Sequence, residues 1–143
     1  MSPSRTVTPF HLALPAYDLE ETRKFYGGML GLEEKRSAIN WVDFDFFGHQ
    51  LSVHLVGGKL GRVESTLIDS DQVPARHFGA ILDQKSWESL RDRLADLKQK
   101  FVIGPKIRFQ GKLGEQGTFF ISDPSGNYLE FKYFTDTAKG PWY

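Results

Sequence analysis

Apolar and polar residues alternate in several short runs along the chain, and each run predicts a β-strand. In the first run Phe10, Leu12 and Leu14 share one face, whereas His11 and Ala13 share the other. The same alternation predicts further strands over 33–38, 41–47, 51–56, 76–82, 102–109 and 118–121, and one that begins at Tyr128. Asn40 separates two of these runs, which favours a hairpin at that point.

Two segments show helical spacing instead. Asp18 can cap the first helix, which we expect to run for about three turns and to end at Gly31. Ser86 begins the second helix, whose apolar stripe is Trp87, Leu90, Leu94 and Leu97.

The order of the predicted elements is repeated: a strand, a helix and then three strands occur twice. We therefore predict an α+β fold of two βαβββ modules that form a half-closed mixed sheet around a shared metal-binding cavity. Residues 1–143 would form a single domain, with module one at about 8–57 and module two at about 76–135. The connector at about 58–75 shows no sustained periodicity and contains one short extended piece near 66–68.

A turn over 123–127 leads into the last strand and sets its register, because Pro124 fixes φ and Gly126 permits a positive φ. In that strand Glu130 shares a face with Tyr128 and Lys132, opposite an apolar face. A carboxylate on an enclosed face needs a partner such as a metal ion, whereas on an open face it is simply solvated. The repeat places His11 and His77 at matching positions, so both would line the cavity with Glu130.

The composition removes several classes of function. The chain has no cysteine, so a metal ion must be held by His, Asp or Glu. Its formal net charge of zero indicates neither nucleic acid nor an anionic membrane as a partner. Residues 1–9 contain no apolar signal sequence, and we expect a cytoplasmic protein.

Four segments together resemble the vicinal oxygen chelate superfamily, which includes glyoxalase I, bleomycin-resistance proteins and type I extradiol dioxygenases. They are the strand 10–14, the helix end 25–32, His77 at the start of module two, and the turn 123–127 before Glu130. The resemblance extends from Phe10 to about Phe134.

The resemblance implies a metal site formed by His11, His77 and Glu130, the ligand set of extradiol dioxygenases. Fe(II) is the expected metal, and Mn(II), Ni(II) or Zn(II) also suit such ligands. Ser52 occupies the position in module one that matches Glu130. Since a glyoxalase I would have Glu there, Ser52 favours an open three-ligand site.

Two more histidines are candidates for proton transfer. His49 resembles the acid–base histidine of extradiol dioxygenases, whereas strand alternation puts His54 on the face of Ser52 and therefore towards the metal. A structural, hydrogen-bonded role is the alternative for both. Tyr128 is a candidate for substrate contact. Phe120 stands where extradiol enzymes have a tyrosine, so the resemblance supports the scaffold better than ring cleavage.

The expected function is that of a metal-dependent, dioxygenase-like oxidoreductase that chelates a small-molecule substrate through adjacent oxygens. One alternative is a glyoxalase-type lyase or isomerase with His54 as a fourth ligand. Another is a metal-free binding protein of the bleomycin-resistance type, with a pocket at Trp41, Phe44, Phe46 or Tyr128. A homodimer is expected in each case, because a short two-module chain exposes sheet edges.

Overall fold

The computed structural model describes residues 7–58 and 64–142, and the chain divides into two compact units, Met1–Gly58 and Lys59–Tyr143. The elements of the first unit are β1 (His11–Ala16), α1 (Leu19–Arg23), a π-helical turn (Lys24–Met29), β2 (Glu34–Ala38), β3 (Trp41–Phe46) and β4 (His49–Leu55). Its sheet has the order β1-β4-β3-β2, in which β1 runs parallel to β4 and the other pairs are antiparallel.

The second unit contains two sheets. Its elements are β5 (Ser65–Ile68), β6 (Asp71–Pro74), β7 (Phe78–Ile81), α2 (Gln84–Asp96), β8 (Ile103–Arg108), β9 (Gln116–Ser122), β10 (Tyr128–Phe134) and a 3₁₀ turn (Gly140–Trp142). The main sheet has the order β7-β10-β9-β8, with β7 parallel to β10, and β5 and β6 form a separate hairpin. None of the helices in the described ranges is long and apolar enough to cross a membrane.

The first helix begins where the sequence predicts but changes its form. The Asp18 carboxylate accepts hydrogen bonds from the backbone N–H groups of Glu20 (2.9 Å) and Glu21 (3.1 Å), which confirms the cap. After Arg23 the helix widens, so that the Phe25 carbonyl accepts from Leu30 N at 3.0 Å, five residues later. The helical segment thus has the predicted length of about three turns and stops before Gly31, and its second half is π-helical.

The second helix holds the last strand in place. Asp83 caps it through Ser86 N at 2.8 Å, so the helix begins two residues before the predicted start. Trp87 is buried, and its Nε1 donates to the Phe131 carbonyl on β10 at 2.8 Å. Leu94 is also buried, whereas Leu97 lies beyond the helix end and is exposed, so its predicted place in the apolar stripe is wrong.

The hairpin β5–β6 replaces most of what the sequence predicts as an irregular connector. Asp69 and Ser70 both have positive φ, 44° and 72°, as in the turns that match the twist of a two-stranded ribbon. The sequence prediction contains only one extended piece here, since Asp-Ser lacks the glycine that usually marks such turns. Residues 59–63 of the predicted connector lie outside the described residues.

Strand register confirms the repeat and the α+β fold class. Ser52 pairs with Ala13 on β1 and with Asp43 on β3. Glu130 pairs in the same way with Gly79 on β7 and with Phe120 on β9. The two four-stranded sheets are thus two copies of one topology, and neither sheet is closed.

Candidate functional site

A hydrogen-bonded turn fixes the start of β10. The buried Asp123 carboxylate accepts from Ser125 N (2.9 Å), Asn127 N (2.9 Å) and Asn127 Nδ2 (2.8 Å). Gly126 has a φ of 87°, which glycine adopts without strain. From this turn, β10 buries Leu129, Phe131 and Tyr133 and directs Tyr128, Glu130 and Lys132 to its other face, as the alternation predicts.

Glu130 lies at the centre of a polar group on that face. Its side chain is 11% exposed, and its Oε2 accepts from Thr118 Oγ1 on β9 at 2.5 Å. Its Oε1 lies 3.4 Å from His77 Nε2 and 3.7 Å from Lys132 Nζ. A buried carboxylate therefore has one oxygen held by a hydroxyl and the other facing two basic groups.

The backbone fixes the tautomer of His77. Its Nδ1 lies 2.6 Å from the Pro74 carbonyl oxygen, which can only accept, so Nδ1 carries a proton. In the neutral ring Nε2 then presents a lone pair towards Glu130, and the ring edge rests on Phe120 at 5.0 Å between centroids. Two electron-pair donors that face each other at 3.4 Å suit a cation between them, either a proton or a metal ion.

The charges of this pair shift both pKa values. The pKa of His77 is raised above its ordinary 6.5, chiefly because the charged ring donates to Glu130, and burial opposes the shift only partly. For Glu130, burial pushes the pKa upward, but His77, Thr118 and Lys132 together outweigh it and lower the pKa below its ordinary 4.5. Without a metal, both pKa shifts favour the charged pair of imidazolium and carboxylate over the neutral pair.

The third predicted ligand, His11, belongs to the other unit. It is exposed and pairs with Gln50 at the start of β1. It stands two residues before Ala13, as His77 stands two residues before Gly79, so the two histidines occupy equivalent positions of the repeat. Within either unit, the described residues contain no group of three or more His, Asp or Glu side chains placed to hold a metal. The full set of three ligands stays a prediction.

Ser52 is engaged by a carboxylate that the sequence analysis did not single out. Its buried Oγ donates to Asp43 Oδ1 at 2.6 Å, and Gln50 Nε2 donates to Asp43 Oδ2 at 3.1 Å. Asp43 is only 4% exposed, and the Arg36 guanidinium lies 3.8 Å from its Oδ2. The alternation in 41–47 does put Asp43 on the polar face, but only the register of β3 against β4 shows that it meets Ser52.

The two candidate acid–base histidines lie in different surroundings. His49 Nδ1 accepts a hydrogen bond from Phe10 N at 2.7 Å, which ties the start of β4 to the segment before β1. His54 is exposed and pairs with Trp41 and Pro15, on the face of Ser52. Their catalytic roles stay predictions.

Tyr128 and Thr118 complete the polar face of β10 and β9. Tyr128 is half-buried, pairs with Ser122 and shares the face of Glu130. Its contact with a substrate stays a prediction. Thr118 is the partner of Glu130 that the sequence analysis missed. In the sequence, alternation places Thr118 on the same strand face as Phe120. Only the register of β9, which pairs Phe120 with Glu130, shows that Thr118 lies near Glu130.

Comparisons with known proteins agree on one family. A model of the Glyoxalase/Bleomycin resistance protein/Dioxygenase superfamily matches residues 8–131. A crystal structure of a glyoxalase/bleomycin resistance protein/dioxygenase from Alicyclobacillus acidocaldarius is 36% identical, with a TM-score of 0.78 over 92% of this chain and 94% of that chain. A search among curated proteins found no match.

Two more distant structures share the fold. A glyoxalase/dioxygenase from Nostoc punctiforme is 18% identical with a TM-score of 0.62, over 95% of this chain and 97% of that chain. A lactoylglutathione lyase from Agrobacterium tumefaciens is 19% identical with a TM-score of 0.60, over 93% and 96%.

Proposed function

The chain belongs to the Glyoxalase/Bleomycin resistance protein/Dioxygenase superfamily, and from that premise we propose that it is a metal-dependent, dioxygenase-like enzyme acting on a small substrate with adjacent oxygens. The observation that carries this proposal is the arrangement of His77 and Glu130. The Nε2 lone pair and a carboxylate oxygen face each other at 3.4 Å.

The surroundings of these two side chains fit a metal site. His77 donates from Nδ1 to a backbone carbonyl, the contact that usually orients a metal-binding histidine and leaves Nε2 free. Thr118 holds Glu130 Oε2 and thereby orients the carboxylate. With His11 as the third ligand, the set is two imidazoles and one carboxylate, which suits Fe(II) and also Mn(II), Ni(II) or Zn(II).

When bound, the metal would supply Lewis-acid chemistry at the substrate oxygens and open positions for a second small reactant. The residues of the chain supply orientation and proton transfer. His49 accepts from Phe10 N at Nδ1, so its neutral ring carries the proton on Nε2 and can only donate there. The His54 side chain is exposed and forms no hydrogen bond or ion pair with another described residue, so it is the better candidate for a base that removes a substrate proton.

The engagement of Ser52 supports three protein ligands rather than four. Its neutral hydroxyl, which donates to Asp43 at 2.6 Å, is a poor ligand in place of the Glu that a glyoxalase I would have there. A glyoxalase-type lyase or isomerase would need a fourth ligand from elsewhere, such as His54. Turnover that does not consume oxygen would favour that alternative.

One observation favours a second function, a metal-free binding protein. The raised pKa of His77 and the lowered pKa of Glu130 let the two side chains neutralise each other as an ion pair without a metal. The pair would then be structural, and Tyr128 and the aromatic residues of the first unit would contact a ligand. Such a protein would bind no divalent ion but would melt at a higher temperature with its ligand.

Metal content separates the two functions. The protein is purified anaerobically without a His tag, and its metals are measured by elemental analysis in the wild type, His77→Ala and Glu130→Ala. Asp96→Ala, at an exposed position of α2, is the matched control. We expect near-stoichiometric metal in the wild type and the control and little in the other two variants. Full occupancy in both variants, or no uptake of Fe(II), Mn(II), Ni(II) or Zn(II) by the wild type, contradicts the proposal.

A further inference from the structure

A row of polar side chains crosses the second sheet beside Glu130. Lys132 on β10 pairs with Thr118 on β9, which pairs in turn with Lys106 on β8. Paired residues point to the same face of a sheet, and Thr118 contacts Glu130 there, so both lysines share the face of the candidate site. The Lys106 and Lys132 side chains are 34% and 30% exposed, so a ligand can reach both ammonium groups.

One carboxylate on this face serves two cations. Asp71 Oδ2 lies 2.7 Å from Lys106 Nζ and 3.2 Å from Arg108 Nη2. The Arg108 side chain is only 4% exposed and donates from Nη1 to the Ile68 carbonyl at 2.7 Å. A guanidinium stays charged at any ordinary pH, and burial makes its charge costly unless it is paired. Asp71 is hydrogen-bonded to Lys106, and among the described residues the buried Nη2 of Arg108 has no hydrogen-bond partner. One carboxylate thus divides its charge between two cations, and one positive charge of this group is left uncompensated.

Lys132 also lacks a hydrogen-bonded carboxylate among the described residues. Its Nζ is 3.7 Å from Glu130 Oε1, which is longer than a hydrogen bond, and Glu130 is shared with His77. Among the described residues, the three cations Lys106, Arg108 and Lys132 share two carboxylates, Asp71 and Glu130, and Glu130 also faces His77. A divalent metal bound by Glu130 would increase this excess of positive charge.

We propose that the substrate carries a carboxylate separate from its chelating oxygens, and that Lys132 and Lys106 bind this carboxylate beside Glu130. The inference rests on the proposed metal-dependent function and specifies its substrate class. Two ammonium groups on either side of Thr118 provide the charge-assisted hydrogen bonds that a carboxylate requires. A neutral diol would leave the excess charge unmatched.

The test compares two probes with the same adjacent oxygens. Catechol has two adjacent hydroxyl groups and no charged substituent, whereas 3,4-dihydroxybenzoate has the same two hydroxyl groups and one carboxylate away from them. Their dissociation constants are measured by calorimetry, without turnover and without oxygen, on the protein as purified. We expect the wild type to bind the carboxylate probe about tenfold more tightly than catechol. In Lys132→Met the ratio of the two dissociation constants should fall to about twofold or less.

Two further variants make the test specific. Lys106→Met should also weaken the preference, whereas Lys85→Met, the same substitution at an exposed position of α2, should retain it. Equal affinity of the wild type for the two probes overturns the inference. So does a preference that survives in both Lys132→Met and Lys106→Met, or a wild type that binds neither probe.

Metal content is recorded for every sample, so that the two proposals can fail separately. A wild type without metal contradicts the proposed function. If the metal-free protein still prefers 3,4-dihydroxybenzoate through Lys132, the inferred carboxylate site stands without the metal. If the metal-bound protein binds the two probes equally well, the proposed function stands and the inferred carboxylate-bearing substrate class is wrong.

Discussion

His77 Nε2 and Glu130 Oε1 face each other across 3.4 Å, and the Pro74 carbonyl holds the only proton of the neutral ring on the opposite nitrogen. The gap between the two atoms is therefore a place for one cation. Under the proposed function a metal ion would compete with a proton for this place, so metal binding should depend on pH.

Metal binding should release protons near neutral pH. The pKa of His77 is raised, so a larger fraction of the ring is protonated there than in a free imidazole, and the metal must displace that proton. Calorimetry with Zn(II) in buffers of different ionisation enthalpy measures the number released. We expect a clear release at pH 6.5 that declines towards pH 8.5, and a smaller one in His77→Ala. A release that does not change with pH contradicts this account.

The same pair should stabilise the metal-free protein over a limited pH range. Because the folded pKa of His77 is raised, its contribution is complete below about 6.5 and is lost as pH rises through the folded value. Because the folded pKa of Glu130 is lowered, its contribution is complete above about 4.5 and is lost as pH falls through the folded value. The two conditions overlap between about pH 4.5 and 6.5.

Urea unfolding of the metal-free wild type and His77→Gln tests this range. At pH 5.5 the wild type should exceed the variant by on the order of 1 kcal/mol, and at pH 8.5 the difference should shrink. An equal difference at the two pH values would show that His77 contributes through packing on Phe120 rather than through charge.

Thr118 should influence metal affinity without binding the metal. In Thr118→Val, Glu130 Oε2 loses its hydrogen-bond donor, and the carboxylate is free to rotate. Removing such an orienting partner typically weakens metal binding by about 10- to 100-fold. Competition with a chelator of known affinity measures the loss, and Thr118→Ser should restore most of the binding because it keeps the hydroxyl. If Thr118→Val binds as tightly as the wild type, Thr118 does not orient the carboxylate.

Gly79 should tolerate no side chain. A Cβ at this position would collide with the backbone carbonyl of Glu130 on the paired strand β10. Gly79→Ala should therefore lower the free energy of unfolding by about 1–3 kcal/mol and disturb the pairing of β7 with β10. Gly28→Ala is the control, since nothing lies within 4 Å of its added Cβ. Equal stability of the two variants contradicts a close approach of the strands at Gly79.

In the second sheet, the features that depend on one strand alone are predicted correctly from the sequence. The alternation around Glu130 and the turn with Gly126 are visible in consecutive residues, and both are confirmed. The cap at Asp18 is confirmed for the same reason, because a cap and the N–H groups it binds are neighbours in the chain.

Contacts that depend on register could not be predicted in this way. Thr118 meets Glu130, and Ser52 meets Asp43, only because β9 and β3 align with their neighbours at one particular offset. Sequence alternation gives the face of each side chain but not the residue opposite. The hairpin β5–β6 was missed for a different reason, since its turn uses Asp69 and Ser70 at positive φ where glycine or asparagine is usual.

Each module has one carboxylate, buried or nearly so, on the polar face of its sheet, but the two lie on different strands. In module two it is Glu130 on the last strand, and in module one it is Asp43 on the strand beside it, opposite Ser52. When the two modules are aligned residue by residue, Glu130 matches Ser52 and Asp43 matches Phe120. Such an alignment shows two separate differences in acidic residues. In space the two modules differ in which of two adjacent strands carries the negative charge, and Ser52 and Asp43 are hydrogen-bonded, so mutations at these two residues should be designed as a pair.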